Sequence, residues 1–127
     1  MRVEVPRDRA YTPDHLWAMA TDEGVLVGVT PYVGSFADEG FALCLPPVGA
    51  RLRAAALAGA IESHKSSFDL FSPCDGVIAA HNPLVVRRPR SCLEDPYGRG
   101  WLWRMADASV VGLWGALRYQ SHVEARR

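Results

Sequence analysis

Apolar residues in this chain come in short runs, often alternating with polar ones, and nearly every run is closed by a turn carrying Gly or Pro. Runs at residues 25–29, 41–45, 59–62, 77–80 and 101–105 read as short strands. The punctuation falls at Asp22-Glu23-Gly24, Pro46-Pro47-Val48-Gly49, Ser72-Pro73-Cys74-Asp75-Gly76 and Asp95-Pro96-Tyr97-Gly98. Many short strands at close spacing predict a mainly β chain, a small sandwich or barrel. Two stretches depart from this pattern. In the tail, Val110, Leu113, Trp114 and Leu117 follow the spacing of one helical face, with Ser109 or Asp107 as its cap. Thr30-Pro31 opens a shorter helix of one or two turns, cut by Gly34. Residues 51–57 have helical propensity but lie between a turn and a strand, so either conformation is open.

At 127 residues the expectation is one domain, residues 1–127, with one core. The longest apolar runs, residues 54–61 and 110–114, fall well short of the roughly 20 residues that cross a bilayer. The first residues are charged with no apolar stretch behind them, so no secretory signal and a cytoplasmic location are expected. Cys44, Cys74 and Cys92 are odd in number, lack CxxC spacing and predict reduced thiols with no metal site. Cys44 reads as a small core residue, and Cys74 and Cys92 as members of polar turns open to solvent.

The charges balance to zero, yet the 14 basic residues are all arginine except Lys65. Arginine replaces lysine freely on a solvated surface, but not where a primary amine must be acylated, because guanidinium stays protonated. Lys65 lies between an apolar strand, Gly59-Ala60-Ile61-Glu62, and a second strand, Phe68-Asp69-Leu70-Phe71, that runs to a Pro-Cys-Asp-Gly turn. That pattern is a hairpin with Lys65 near its tip, reachable by a modifying enzyme. An amide there would remove the charge and tether a long acyl group. On this segment alone an ordinary solvated lysine remains an equal reading.

Glu62-Ser63-His64-Lys65 resembles the Glu-Ser-Val-Lys lipoylation motif of glycine cleavage H proteins, with Asp69 and the Pro73…Gly76 turn in the family's positions. The likeness continues in register. Tyr11…His15-Leu16-Trp17 resembles the family's Tyr…His-Glu-Trp, Val27-Gly28-Val29-Thr30 its Val-Gly-Ile-Thr, and Leu45-Pro46-Pro47-Val48-Gly49 its Leu-Pro-Glu-Val-Gly. Asn82, Pro89, the segment Asp95-Pro96-Tyr97-Gly98-Arg99-Gly100-Trp101, Ala116 and Tyr119 fall where the family has the same residues, so motifs cover about residues 11–119. The resemblance implies a flattened, two-sheet barrel-sandwich hybrid of the lipoyl-domain kind, with a short helix after the first strands and a C-terminal helix. It implies lipoic acid amide-linked to Lys65, with Glu62, Ser63, His64 and Asp69 flanking it for a lipoylating enzyme. It further implies a non-catalytic, monomeric carrier that moves an aminomethyl group among glycine decarboxylase (P protein), aminomethyltransferase (T protein) and dihydrolipoyl dehydrogenase (L protein). For Glu62 and Asp69, solvating a turn is an equal reading. A bland exposed histidine is the simpler account of His64.

The family's parked arm points to a cleft near Asp14, His15, Leu16, Tyr32 and Asp69. Two of these depart from the pattern: Leu16 stands where the family has an acidic residue, and Tyr32 where it has histidine. Neither replaces a carboxylate as a charged hydrogen-bond acceptor. Leu93 replaces a family Asn, and Arg87, Arg88 and Arg90 put basic charge where the family is acidic, which would alter partner choice. The cluster is short and lacks interleaved aromatics, so nucleic acid is not expected. These departures keep two alternatives open: a repurposed H-like lipoate-binding protein, as in heterodisulfide-reductase-type sulfur oxidation or specialised biosynthesis, and an unmodified H-like binding module. Trp17, Trp101, Trp103 and Trp114 read as core residues. No Ser-His-Asp order, carboxylate pair or Gly-rich phosphate loop suggests catalysis by the chain itself.

Overall fold

The computed structural model describes residues 5–36, 42–64 and 66–125. Nine strands alternate with short helical pieces in these residues. A six-stranded antiparallel sheet has the order β1-β2-β3-β9-β8-β5, formed by β1 (Ala10–Tyr11), β2 (Leu16–Thr21), β3 (Gly24–Val29), β5 (Arg51–Leu52), β8 (Gly76–His81) and β9 (Trp103–Ala106). A three-stranded sheet has the order β4-β6-β7, from β4 (Ala42–Cys44), β6 (Leu57–Glu62) and β7 (Ser67–Phe71). The result is mainly β, as the short alternating runs predict, and it takes the two-sheet form that the resemblance implies, unclosed and completed by a C-terminal helix. Phe41, expected to open β4, lies outside the described residues.

Alternation explains how the sheets face each other. In β3, Val25, Val27 and Val29 are 0–2% exposed, because every second side chain of a strand points to the same face. They meet Ile61 and Leu70 of the small sheet and Ile78, Trp103 and Met105 of the large one in the principal core. A second cluster lies under the C-terminal helix, where Tyr11 and Trp17 pack with Ala116, Tyr119 and Val123. Of the four tryptophans, Trp17 and Trp103 are fully buried, while Trp101 and Trp114 are partly exposed at the edge of this second cluster.

The predicted short helix is present as a 3₁₀ helix over Pro31–Phe36. Residues 51–57 begin as strand β5 and turn at Ala55, whose φ is 69°, before β6, so their helical propensity is overridden. Two pieces too short for any periodicity went unforeseen: α1 (Pro83–Arg87) and α2 (Ser91–Glu94). Asn82 caps α1 by accepting from the Leu84 amide at 3.0 Å, and its amide donates to the carbonyls of Arg99 and Trp101.

The tail helix, α3 (Ala116–Ala125), begins later than the apolar spacing predicts. Gly112 adopts φ 89°, and Trp114 exchanges backbone hydrogen bonds with Tyr11 at 2.8 and 2.9 Å, which commits it to an extended bridge. Ser109 therefore accepts from Val111 in a turn rather than capping a helix. The buried face is Ala116, Tyr119 and Val123, while Leu117 points to solvent.

The cysteine assignments are reversed. Cys44 is exposed, because on β4 it alternates with the inward Leu43 and Leu45. Cys74 is buried in a turn folded under the sheet, where the Ser72 hydroxyl donates to its carbonyl at 2.8 Å. Cys92 lies on the inner side of α2, and burial pushes its thiol up to about 12. No helix among the described residues is long and apolar enough to cross a membrane.

Candidate functional site

The hairpin β6–β7 is built by five antiparallel pairs, Leu57↔Phe71, Gly59↔Leu70, Ala60↔Asp69, Ile61↔Phe68 and Glu62↔Ser67. Ala58 is extra on β6, a bulge that bends the strand. Gly59 follows it because a Cβ there would run into the Cys44 carbonyl of the neighbouring strand. Leu70, fully buried, and Ile61 anchor the hairpin on the core.

At its far end the hairpin closes on two serines. The Ser63 amide donates to the Ser66 carbonyl at 2.8 Å, and the Ser63 hydroxyl donates to the same oxygen at 3.2 Å. In sequence only His64 and Lys65 separate them. Lys65 itself lies outside the described residues. Its neighbours in sequence present polar groups to solvent: His64 and Glu62 are exposed, and a Glu62 carboxylate oxygen accepts from the Cys44 thiol at 3.6 Å. Asp69 is exposed on β7.

Beside β7 runs an open groove of about 260 Å³. Ser67, Asp69 and Phe71 line it by strand periodicity, joined by Phe68, and Pro13, Asp14 and His15 form the facing wall. Two carboxylates, Asp14 and Asp69, thus border a groove with two phenylalanine rings in its lining. The groove could hold a slender chain with an apolar body and a cationic end.

Its wall is fixed by an unusual backbone. Thr12 accepts through its carbonyl from His15 and through its hydroxyl from Asp14, and its own amide donates to Leu16, which folds residues 12–16 into a tight turn. The turn places His15 at φ 71°, a left-handed conformation costing a non-glycine residue about 1–2 kcal/mol. Side-chain contacts offset that cost. The His15 ring stacks on Tyr32 at 4.0 Å between centroids, and its Nδ1 is 2.8 Å from the Tyr119 hydroxyl. Tyr119 also hydrogen-bonds Thr30 at 2.6 Å, and burial raises its phenol well above the ordinary value, so it stays neutral. His122 Nε2 donates to the Pro13 carbonyl at 3.1 Å. Helix α3 therefore braces the groove wall at two points.

Of the five residues expected at a cleft, Asp14, His15 and Asp69 line this groove, and Tyr32 backs it by stacking on His15. Leu16 does not line it. It pairs with Val29 on β2 and is fully buried, because Leu16 and Ala18 face the principal core while Trp17 faces the outer cluster. Phe68, Phe71, Pro13 and the bracing pair Tyr119 and His122 were missed by sequence reasoning. The spacing of Ser67, Asp69 and Phe71 carried the signal for one wall, but nothing local connects Tyr119 to His15. No group of three or more metal-ligating side chains occurs among the described residues.

The family model of the glycine cleavage H-protein matches residues 9–124. A glycine cleavage system H protein of Beutenbergia cavernae is 37% identical over 117 residues, spanning 92% of this chain and 94% of its own length. Its counterpart in Mycobacteroides abscessus is 38% identical over 115 residues, with 90% and 88% covered. The crystal structure of a glycine cleavage system H protein from Mycobacterium marinum superposes with a TM-score of 0.84 at 32% identity, covering 94% of this chain and 99% of that one. The groove, the bracing residues Tyr119 and His122, and the β6–β7 hairpin all fall inside the matched residues.

Proposed function

Because the chain belongs to the glycine cleavage H-protein family, we propose that it is a non-catalytic carrier in the glycine cleavage system with lipoic acid amide-linked to Lys65. The observation that carries this reading is a hairpin closed tightly by Ser63 and Ser66 beside an acid-bordered groove. Glu62, Ser63 and His64, at the end of the hairpin, and Asp69, two rungs back along β7, are the residues a lipoylating enzyme would read.

The groove's composition fits such an arm. Phe68, Phe71 and Pro13 match an acyl chain, and Asp14 and Asp69 match a cationic group at its end. When attached, the lipoyl group supplies a dithiolane that takes up an aminomethyl group and delivers it elsewhere. The protein's own residues bind and shelter: the phenylalanines exclude water along the arm, and the two carboxylates hold its charged end. His15, locked by Tyr32 and Tyr119, fixes the wall opposite β7. Glycine decarboxylase, aminomethyltransferase and dihydrolipoyl dehydrogenase are the partners this cycle requires.

Intact mass after co-expression with a lipoate ligase tests the attachment. A lipoyl increment on the wild type that disappears in Lys65→Arg is expected; no increment, or one that survives the substitution, would sink the reading. A second reading, an H-like carrier serving other chemistry, draws on Leu16, which puts a fully buried aliphatic side chain where the family has an acid. Glycine decarboxylation exchange with the lipoylated chain and its partner enzymes decides between them, because absence of exchange favours the second.

A further inference from the structure

Strand β7 is an edge of the small sheet, and the hydrogen bonds at both ends of its hairpin reveal which backbone groups it turns outward. At one end the Ser63 amide donates to the Ser66 carbonyl, and at the other the Ser72 amide donates to the Ala56 carbonyl. Antiparallel strands alternate hydrogen-bonded and non-hydrogen-bonded pairs, so Phe68 and Leu70 bond β6 through their pairs with Ile61 and Gly59. Ser67, Asp69 and Phe71 occupy the other kind of pair, opposite Glu62, Ala60 and Leu57, and direct their N–H and C=O groups away from β6. Among the described residues, no backbone group pairs with this outward row.

The outward row faces the groove. Ser67, Asp69 and Phe71 project to one face of β7 and Phe68 to the other, yet all four line the groove, which therefore runs along the strand's edge. The wall opposite is closed differently: the Pro13 carbonyl accepts from His122 at 3.1 Å and the His15 carbonyl from the Thr30 amide at 3.0 Å. An open strand edge is a template for another strand, and extended protein segments dock by completing such a ladder.

Charge selects the occupant. Asp69 is at the centre of the edge and Asp14 on the opposite wall, and neither forms an ion pair among the described residues. A second copy pairing antiparallel about the strand centre would set Asp69 against Asp69, a destabilising arrangement. A basic side chain opposite Asp69 meets both carboxylates, and an apolar one two residues away, on the same face, meets Phe71. We propose that the outward edge of β7 docks an extended segment of a partner enzyme with this basic and apolar spacing, as an added strand. That the partner is an enzyme attaching or using the arm rests on the carrier reading above.

The test is residue-resolved amide exchange on the unlipoylated chain, alone and with lipoate ligase, glycine decarboxylase, aminomethyltransferase or dihydrolipoyl dehydrogenase. Alone, Phe68 and Leu70 should exchange slowly and Ser67, Asp69 and Phe71 fast; with at least one enzyme the fast three should become protected together, the alternation an added strand imposes. Ser67→Pro removes one outward N–H without touching the ladder to β6, and Ser67→Ala removes the same side chain but keeps that N–H. The Pro variant should bind that enzyme roughly fivefold more weakly than the Ala variant. Asp69→Lys should weaken the complex roughly tenfold, by an amount that shrinks as salt is added. No protection of these amides by any of the four enzymes refutes the docking edge, and a complex that Asp69→Lys leaves unchanged refutes the basic occupant. Protection in the chain alone that grows with its concentration would make the occupant a second copy and overturn the proposal. A wild type that takes up no lipoyl mass defeats the carrier reading separately, since the exchange experiment uses no arm.

Discussion

Replacing Tyr119 by Phe isolates the brace between α3 and the groove wall. The substitution keeps the ring, and with it the stack on Tyr11 at 4.9 Å, but deletes a hydroxyl that bridges His15 and Thr30 at 2.8 and 2.6 Å. Both partners are buried, at 7% and 1% exposure, so water replaces the lost bonds poorly. Two neutral hydrogen bonds at about 1 kcal/mol each give an expected loss of about 2 kcal/mol. Urea unfolding should show a lower midpoint with an unchanged slope, since the surface exposed on unfolding is the same. Tyr119→Leu, which also removes the stack and leaves a cavity, should lose more. A Phe variant within about 0.5 kcal/mol of the wild type would refute the view that this hydroxyl holds His15 in its left-handed turn.

Alkaline pH should unfold the protein through its buried phenols and thiols. Burial raises Tyr11, Tyr97 and Tyr119 above 10.0 and Cys74 and Cys92 above 9.0, so the folded state holds these protons longer than the unfolded chain. Their contribution is intact below pH 9 and falls as pH rises, by roughly 1.4 kcal/mol per pH unit per group, until about pH 12 for Tyr97 and Cys92. Stability measured by urea unfolding that stays level from pH 9 to 11 would contradict this. A thiol reagent should label Cys44 at once in the native protein and reach Cys74 and Cys92 only on unfolding, as peptide mapping would report. Gly59→Ala should cost about 1–3 kcal/mol by pushing β6 away from the Cys44 carbonyl, and equal stability to the wild type in urea would show that β4 yields freely.

Legibility in the sequence tracked how local each cause is. The strands around Val27, Ile61 and Ile78 were readable because alternation and Gly or Pro turns act within a few residues. Strand β2 was not singled out, because Leu16-Trp17-Ala18 is apolar on both faces: one serves the principal core and the other the cluster under α3. The tail spacing misled because Trp114 answers to Tyr11, about a hundred residues earlier in the chain, rather than to its own neighbours. The cysteines reversed for a similar reason. Cys74 and Cys92 sit among polar residues in sequence but under the sheets in space, and Cys44 sits among apolar ones yet on an outward strand position. At the site, Asp14, His15 and Asp69 were named from motif resemblance, whereas Tyr119 and His122 act on the groove through a helix that no local pattern connects to it.

Among the described residues, no strand ladder joins the small sheet to the large one; β4, β6 and β7 pair only with each other, and Ile61 and Leu70 bind them to the rest by side-chain packing. The consequence is modularity. Outward positions of these strands away from the groove can change under selection for new partners, while the ladder of the larger sheet keeps its register and goes on supplying the scaffold. A change of clientele therefore requires only surface substitutions on a three-stranded leaf.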